Sequence, residues 1–307
     1  MELANEIGTH QFAVAEGQHA ESLLRLGIKR DIPGCSAVIE QLQRLGVHGE
    51  EETQTQKVEK NTVVSRLEIY ALGKGLIIRN GHTGLSERQA LMVKEVFLFI
   101  LLNGPIERDA IGLVFWPDLS AKKVTNNFHN VLHRIRRALG ADVVMTEKGR
   151  YRLGDVDYWF DVKEFEALVK RARLLPPQDW QTEDLWQRSV KLYQGDFLPE
   201  AERVWCISKR ETLREMYVEA LIGMGKCHKA RRGFEEAINW YQRALEVDEL
   251  QEDVYRDIML CYAEAGQRAE ALAQYYRCQE VLGNELGIKP SNEIKDLYKR
   301  IAGKKPA

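Results

Sequence analysis

Between Ser120 and Leu153 the chain concentrates side chains that can hold a polyanion. Lys122, Lys123, Asn126, Asn127, His129, Asn130, His133, Arg134, Arg136 and Arg137 fall between Ser120 and Leu139, and Lys148, Arg150 and Arg152 follow shortly after. Ammonium and guanidinium groups pair with phosphate oxygens. An Asn amide can make paired bonds to adenine, and Lys or Arg can do the same to guanine. Lys122, Lys123, Asn126 and Asn130 are therefore candidates for reading base edges, and Arg134, Arg137, Lys148 and Arg150 for holding phosphates or the adjacent minor groove. Asn127, His129 and His133 complete the candidate DNA-contacting set. Arg136, close to the apolar side, and Arg152, close to the end of the hairpin, are better suited to packing or to pairing with acids.

These groups need one helix with two unlike faces, and the spacing predicts it. At about 100° per residue, Val124, Phe128, Val131, Leu132, Ile135 and Leu139 fall in a single stripe, while Lys122, Asn126, His129, Asn130, His133 and Arg137 lie opposite. Ser120 is placed to cap this helix, and Trp116 to Ser120 connects it tightly to a shorter helix over Arg108–Phe115. A further helix is expected upstream, opened by Ser86 with Gln89 as a capping box, carried by Val93, Val96, Phe97, Ile100 and Leu101, and ended by Asn103, Gly104 and Pro105. Short strands are expected between Thr62 and Ile78, with Asn80-Gly81 as a turn and Gly73 to Gly75 as another. Val143 to Leu153 closes the segment as a hairpin. Strands, three helices and a terminal hairpin describe a winged helix-turn-helix.

Charge supports a polyanion partner. Residues 120–153 hold eight Lys and Arg against Asp142 and Glu147, a net of +6, whereas the whole chain is −2 and its remainder therefore −8. A charged helix face is ordinarily a solvated one. Here the basic hairpin and the acidic remainder argue that the cationic charge is focused for a purpose. With 307 residues, 44% hydrophobic and 29% charged, the chain has apolar mass for two or three cores. Its longest apolar run, Val96–Leu102, is far too short to cross a bilayer, and the N-terminus lacks a signal-peptide pattern, so a cytoplasmic protein is expected.

Enzymatic chemistry finds no support. Cys35, Cys206, Cys227, Cys261 and Cys278 form no C-x-x-C pair, and they suit small core positions better than redox or zinc chemistry. His129 and His133 have the i, i+4 spacing of a zinc site, but the glutamate of H-E-x-x-H is missing and no third ligand is near. No phosphate-binding glycine loop and no nucleophile motif is present. Neither a metal nor a cofactor is expected.

From Val162 to Ile301 the pattern is helical, with an internal repeat of about 34 residues. Leu221, Cys227, Glu236, Ala237, Tyr241, Glu246 and Val247 recur as Tyr255, Cys261, Glu270, Ala271, Tyr275, Glu280 and Val281. That is the arithmetic of a tetratricopeptide array. Tyr241, Tyr262, Tyr275 and Tyr276 are expected as knobs between its helices. Near the N-terminus, residues 10–26 and 35–46 suggest two helices, and the polar run from Gly49 suggests a linker.

In this order, Leu192-Tyr193-Gln194-Gly195-Asp196-Phe197-Leu198-Pro199, Trp205, Arg210, the Ala237/Tyr241 repeat and Asn284-Glu285-Leu286-Gly287-Ile288-Lys289-Pro290 follow the winged segment. Over roughly residues 62–302 the chain thus resembles bacterial activators of the SARP type, which join an OmpR-like DNA-binding domain to a bacterial transcriptional activation domain. Within the first of these, Glu107 to Ile111 and Leu113 to Leu119 are similar to its second helix and following loop. Asn126, Asn127 and Arg134 to Gly140 are similar to its recognition helix, and Gly149 to Leu153 to its wing. The resemblance implies a sequence-specific regulator that binds promoters, often as a dimer on repeated sites, and contacts RNA polymerase. It places the polymerase-facing surface on Trp116, Pro117, Asp118, Leu119, Ser120 and Ala121. Residues 1–60 match neither a receiver domain nor a phosphopeptide-binding module, which leaves the input signal open.

The expected architecture is mostly α with a small β component. It comprises a helical segment over 1–48, with a larger upstream array left open, a linker at 49–61, a winged helix-turn-helix over 62–155, a tetratricopeptide-like all-α domain over 156–302 and a tail at 303–307. The expected function is a transcriptional activator binding double-stranded promoter DNA and RNA polymerase, with no catalysis and no membrane. The rival from another class is a protein-interaction adaptor that uses the winged helix for docking.

Overall fold

The computed structural model describes residues 66–85 and 91–303, which lie in one compact unit, Thr62–Ala307. The expected N-terminal helices, the linker, Cys35 and the Ser86/Gln89 capping box fall outside the described residues.

Two small sheets frame three helices. In the first, β1 (Leu67–Tyr70), β2 (Leu76–Arg79) and β3 (His82–Leu85) form an antiparallel meander, and β7 (Tyr158–Phe160) joins parallel to β1, giving the order β3-β2-β1-β7. Arg79 and His82 face each other across Asn80 and Gly81, whose φ values are 53° and 77°. Two consecutive positive φ angles match the right-handed twist of the flanking strands, which is why Asn-Gly serves there. In the second sheet, β4 (Ile106–Glu107) pairs with β6 (Arg150–Leu153), and β6 with β5 (Val144–Glu147). Lys148 and Gly149, at φ 48° and 79°, turn this hairpin the same way.

Between the sheets lie α1 (Leu91–Asn103), α2 (Arg108–Phe115) and α3 (Ala121–Leu139). All six residues of the expected α3 stripe are buried, and Phe97, Phe128 and Ile135 are sealed from solvent. Gly112 lets α2 approach α3, because a Cβ there would stand 2.6 Å from Val124 Cγ1. Tyr151 on β6 seats the hairpin on α3, its ring 4.6 Å from that of Phe128 and nearly perpendicular.

The first sheet continues into the helical part. Asp161, which opens α4 (Asp161–Ala172), accepts hydrogen bonds from the backbone N–H groups of Ala71 (3.0 Å), Leu72 (2.8 Å) and Val162 (2.8 Å). Leu72 also bridges to Phe197, and Arg210 donates to the carbonyls of Phe197 (3.0 Å), Leu198 (2.6 Å) and Ala201 (2.8 Å). Buried apolar side chains accordingly run as one cluster from Leu67 to Cys227. The strands β4 and β7 were not expected from the sequence. At two and three residues they are too short for a periodicity to register, and each exists only because a distant strand offers its edge.

Beyond α4, the helices α5 (Trp180–Leu192), α6 (Val204–Ala230), α7 (Phe234–Val247), α8 (Glu252–Glu264), α9 (Arg268–Leu286) and α10 (Asn292–Ile301) pack each on the next. The 34-residue repeat places Leu221 and Tyr255, Cys227 and Cys261, and Ala237 and Ala271 at equivalent buried positions. Close crossing depends on Gly225, where a Cβ would stand 2.4 Å from the Tyr241 ring. Tyr241 is the fully buried knob that the repeat implies, whereas Tyr276 is 55% exposed and its hydroxyl lies 2.7 Å from that of Tyr298. Tyr276 departs from the expectation in standing exposed beside Tyr298 of α10 instead of being enclosed between helices. Cys206, Cys227, Cys261 and Cys278 are buried thiols, and burial pushes each of them up.

Candidate nucleic-acid interface

The recognition candidate is the outer face of α3. Lys122, Lys123, Asn126, His129, Asn130, His133, Arg134 and Arg137 are exposed and Asn127 is half-buried. With Arg134 set aside, none of the other eight makes a side-chain hydrogen bond or ion pair among the described residues. Other cations nearby are engaged. Arg79 holds Asp142 at 2.7 Å and also donates to the Leu139 carbonyl at the end of α3, and the Arg79 guanidinium keeps the Asp142 carboxyl below the usual range. Arg152 pairs with Glu147 at 3.1 Å and Asp155 at 3.0 Å. The acids counted in the +6 window are thus both already partnered.

The start of α3 is arranged against its own dipole. Its first turn has no acidic residue and carries Lys122 and Lys123, although a helix N-terminus favours anions. Ser120 occupies the N-cap with extended backbone (φ −64°, ψ 151°), but contrary to expectation its hydroxyl makes no bond to the helix. The first-turn N–H groups and two lysines are left for water or an anion. The other end is conventional, with Arg136 and Arg137 in the last turn and Gly140 as C-cap at φ 105°.

The hairpin presents its cations unevenly. Lys148 sits at the turn, exposed and without a side-chain partner among the described residues. Arg150 instead reaches Glu107 at 3.1 Å, with both side chains more than half exposed. So exposed a pair contributes little and can be exchanged for a phosphate. Arg136 donates from Nε (3.2 Å) and Nη2 (2.8 Å) to the Val144 carbonyl and so ties α3 to the hairpin. Its packing role was legible from its position at the edge of the apolar stripe. Arg79 had no local signal, because its partners stand about 60 residues away in sequence. In the connection before α3, Trp116 is half-buried against Phe115, and Pro117, Asp118, Leu119, Ser120 and Ala121 are exposed.

His129 and His133 lie on this same outer face, and no group of three or more potential metal ligands occurs among the described residues. No described helix is long and apolar enough to cross a membrane.

Residues 160–302 match the family described as the bacterial transcriptional activator domain. This segment is therefore similar to bacterial transcriptional activator domains. It begins at Phe160, the last residue of β7, so its first residue lies in the sheet that frames the winged helices. The chain is also similar to the regulatory protein AfsR of Streptomyces griseus, 23% identical over 197 residues, or 61% of this chain and 19% of that protein. AfsR of Streptomyces coelicolor is 26% identical over 184 residues, or 57% of this chain and 18% of that protein. The chain thus spans about a fifth of the length of these relatives. Mycobacterium tuberculosis EmbR, solved in complex with a low affinity phosphopeptide, superposes with a TM-score of 0.65 at 18% identity, covering 80% of this chain and 66% of EmbR. That likeness shows the fold, a winged helix followed by tetratricopeptide-like helices. The sequence matches are thus similarities to regulatory proteins and to the bacterial transcriptional activator domain, and the EmbR match is a similarity of fold.

Proposed function

We propose that the chain binds double-stranded promoter DNA in a sequence-specific manner and recruits RNA polymerase, without covalent chemistry. The observation that carries this is the outer face of α3, where lysines, an arginine, asparagines and histidines stand together without partners among the described residues while Arg79, Arg136, Arg150 and Arg152 around them are engaged. Lysines in the first turn of a helix oppose its dipole, each by about 0.3–1 kcal/mol. Duplex phosphates would turn that cost into a gain.

In the proposed complex α3 lies in the major groove. Lys122, Lys123, Asn126 and Asn130 face base edges, with Asn127, His129 and His133 alongside, and Arg134, Arg137, Lys148 and Arg150 hold the flanking backbone. The half-burial of Asn127 limits it to an edge contact, and Arg150 exchanges Glu107 for a phosphate. Exposed Pro117 to Ala121, beside the half-buried Trp116, form the polymerase-facing loop, and binding as a dimer on repeated sites follows the SARP pattern.

Fluorescence anisotropy with a duplex that the wild-type chain selects from genomic DNA tests the proposal. Lys122→Ala or Arg137→Ala should each weaken binding by roughly tenfold, about 1.4 kcal/mol. If the wild type bound no duplex and instead captured a protein partner through the winged helix, the adaptor would be the correct account.

A further inference from the structure

A second surface sits on the side of α2 away from the recognition helix. Gly112 faces Val124 of α3, and the next residue, Leu113, is 74% exposed. Across from it α6 begins with Val204, which is 83% exposed. The two flank an open cleft of about 980 Å3 whose lining includes Leu91, Val114 and Trp205. Single exposed aliphatic residues need no explanation, but two on opposite lips of one cleft with an aromatic floor form a patch that water covers poorly. The indole N–H of Trp205 also finds no acceptor among the described residues.

The charge of the cleft selects the occupant. Of its charged residues, Arg203 and the buried Glu95 neutralise each other at 3.3 Å, and Arg203 lies over the Phe115 ring at 4.9 Å. Glu200 and Glu202 on the rim are exposed and form no ion pair among the described residues, leaving the lip anionic. A nucleic acid is repelled by such a rim. A peptide carrying aliphatic anchors flanked by lysine and arginine complements it on both counts, and a helix supplies such anchors at i, i+3 and i+4 along one face.

We propose that this cleft between α2 and α6 docks a cationic amphipathic helix belonging to the transcription machinery. Aliphatic anchors fill the space between Leu113, Val204 and Trp205, and basic residues meet Glu200 and Glu202. The inference rests on the function proposed above and extends it to a surface separate from the Trp116–Ala121 loop. Because α2 carries the recognition helix on one side and the cleft on the other, an occupant there stands next to the bound promoter.

The test uses the full chain, purified bacterial RNA polymerase holoenzyme and the genome-selected duplex. Val204→Glu and the double change Glu200→Lys with Glu202→Lys alter only exposed positions. They should leave duplex affinity within about twofold and lower activated transcription roughly tenfold. A photo-crosslinking residue at position 204 should label a Lys- and Arg-rich helical segment of a polymerase subunit, located by mass spectrometry. Unchanged activation in both variants, or crosslinks only to a second copy of this chain or to an acidic segment, would overturn the proposal. A wild-type chain that bound no duplex would remove the proposed function, yet crosslinking to polymerase in free solution would still decide the cleft.

Discussion

Replacing Asp161 with Asn changes one buried carboxyl and tests how the helical part is joined to the sheet. Asp161 is 2% exposed, accepts three backbone N–H bonds from Ala71, Leu72 and Val162, and has no cationic partner among the described residues. Burial raises its carboxyl from 3.8 to about 6, against the three N–H donors that pull it down. The folded chain therefore holds this proton more tightly than the unfolded chain does. The resulting stabilisation is complete below about pH 4 and is lost as pH rises to about 6, a change of about 3 kcal/mol at 1.36 kcal/mol per unit. The carboxamide of the Asp161→Asn variant cannot titrate, and its NH2 must face a backbone N–H that the carboxylate had satisfied, at a cost of about 1–3 kcal/mol. Urea unfolding followed by tryptophan fluorescence, from pH 4 to pH 7.5, should give a gap between wild type and Asp161→Asn that is widest at the acid end. That gap should shrink by about 3 kcal/mol toward neutrality. A constant gap across the range would refute both the raised carboxyl and the linkage drawn from it.

Two further substitutions probe the supports of each half. Gly225→Ala drives a Cβ into the Tyr241 ring and should destabilise the chain by about 1–3 kcal/mol, read as a lower urea midpoint. An unchanged midpoint would mean that α6 and α7 do not cross as described. Arg136→Ala removes the tie between α3 and the Val144 carbonyl. It should weaken duplex binding without altering its salt dependence, because the guanidinium is already engaged, and a shallower salt slope would show that Arg136 contacts phosphate directly.

Legibility in the sequence followed the range of the interactions. The α3 stripe from Val124 to Leu139 is a local periodicity, and each of its six residues is buried. Asn80-Gly81 and Lys148-Gly149 carry their turn geometry in residue type and position, so both hairpins could be placed. What escaped is held at a distance. The strand β7 needs the edge of β1, β4 needs β6, and the Asp161 and Arg79 clamps join residues far apart in sequence. In the candidate interface, the cations of α3 could be named in advance, but not which wing arginine is already paired. Arg150 and Arg152 look equivalent to Lys148 in sequence until Glu107, Glu147 and Asp155 are brought beside them.

The outer face of α3 and the hairpin tip as a duplex-binding surface is tested most directly by the salt dependence of duplex affinity for the wild type, Arg137→Ala and Lys148→Ala. Each substitution should make the log–log slope shallower by about 0.9, the share of a single cation–phosphate pair, together with weaker binding at every salt concentration. Slopes and affinities identical to the wild type for both variants would contradict the account.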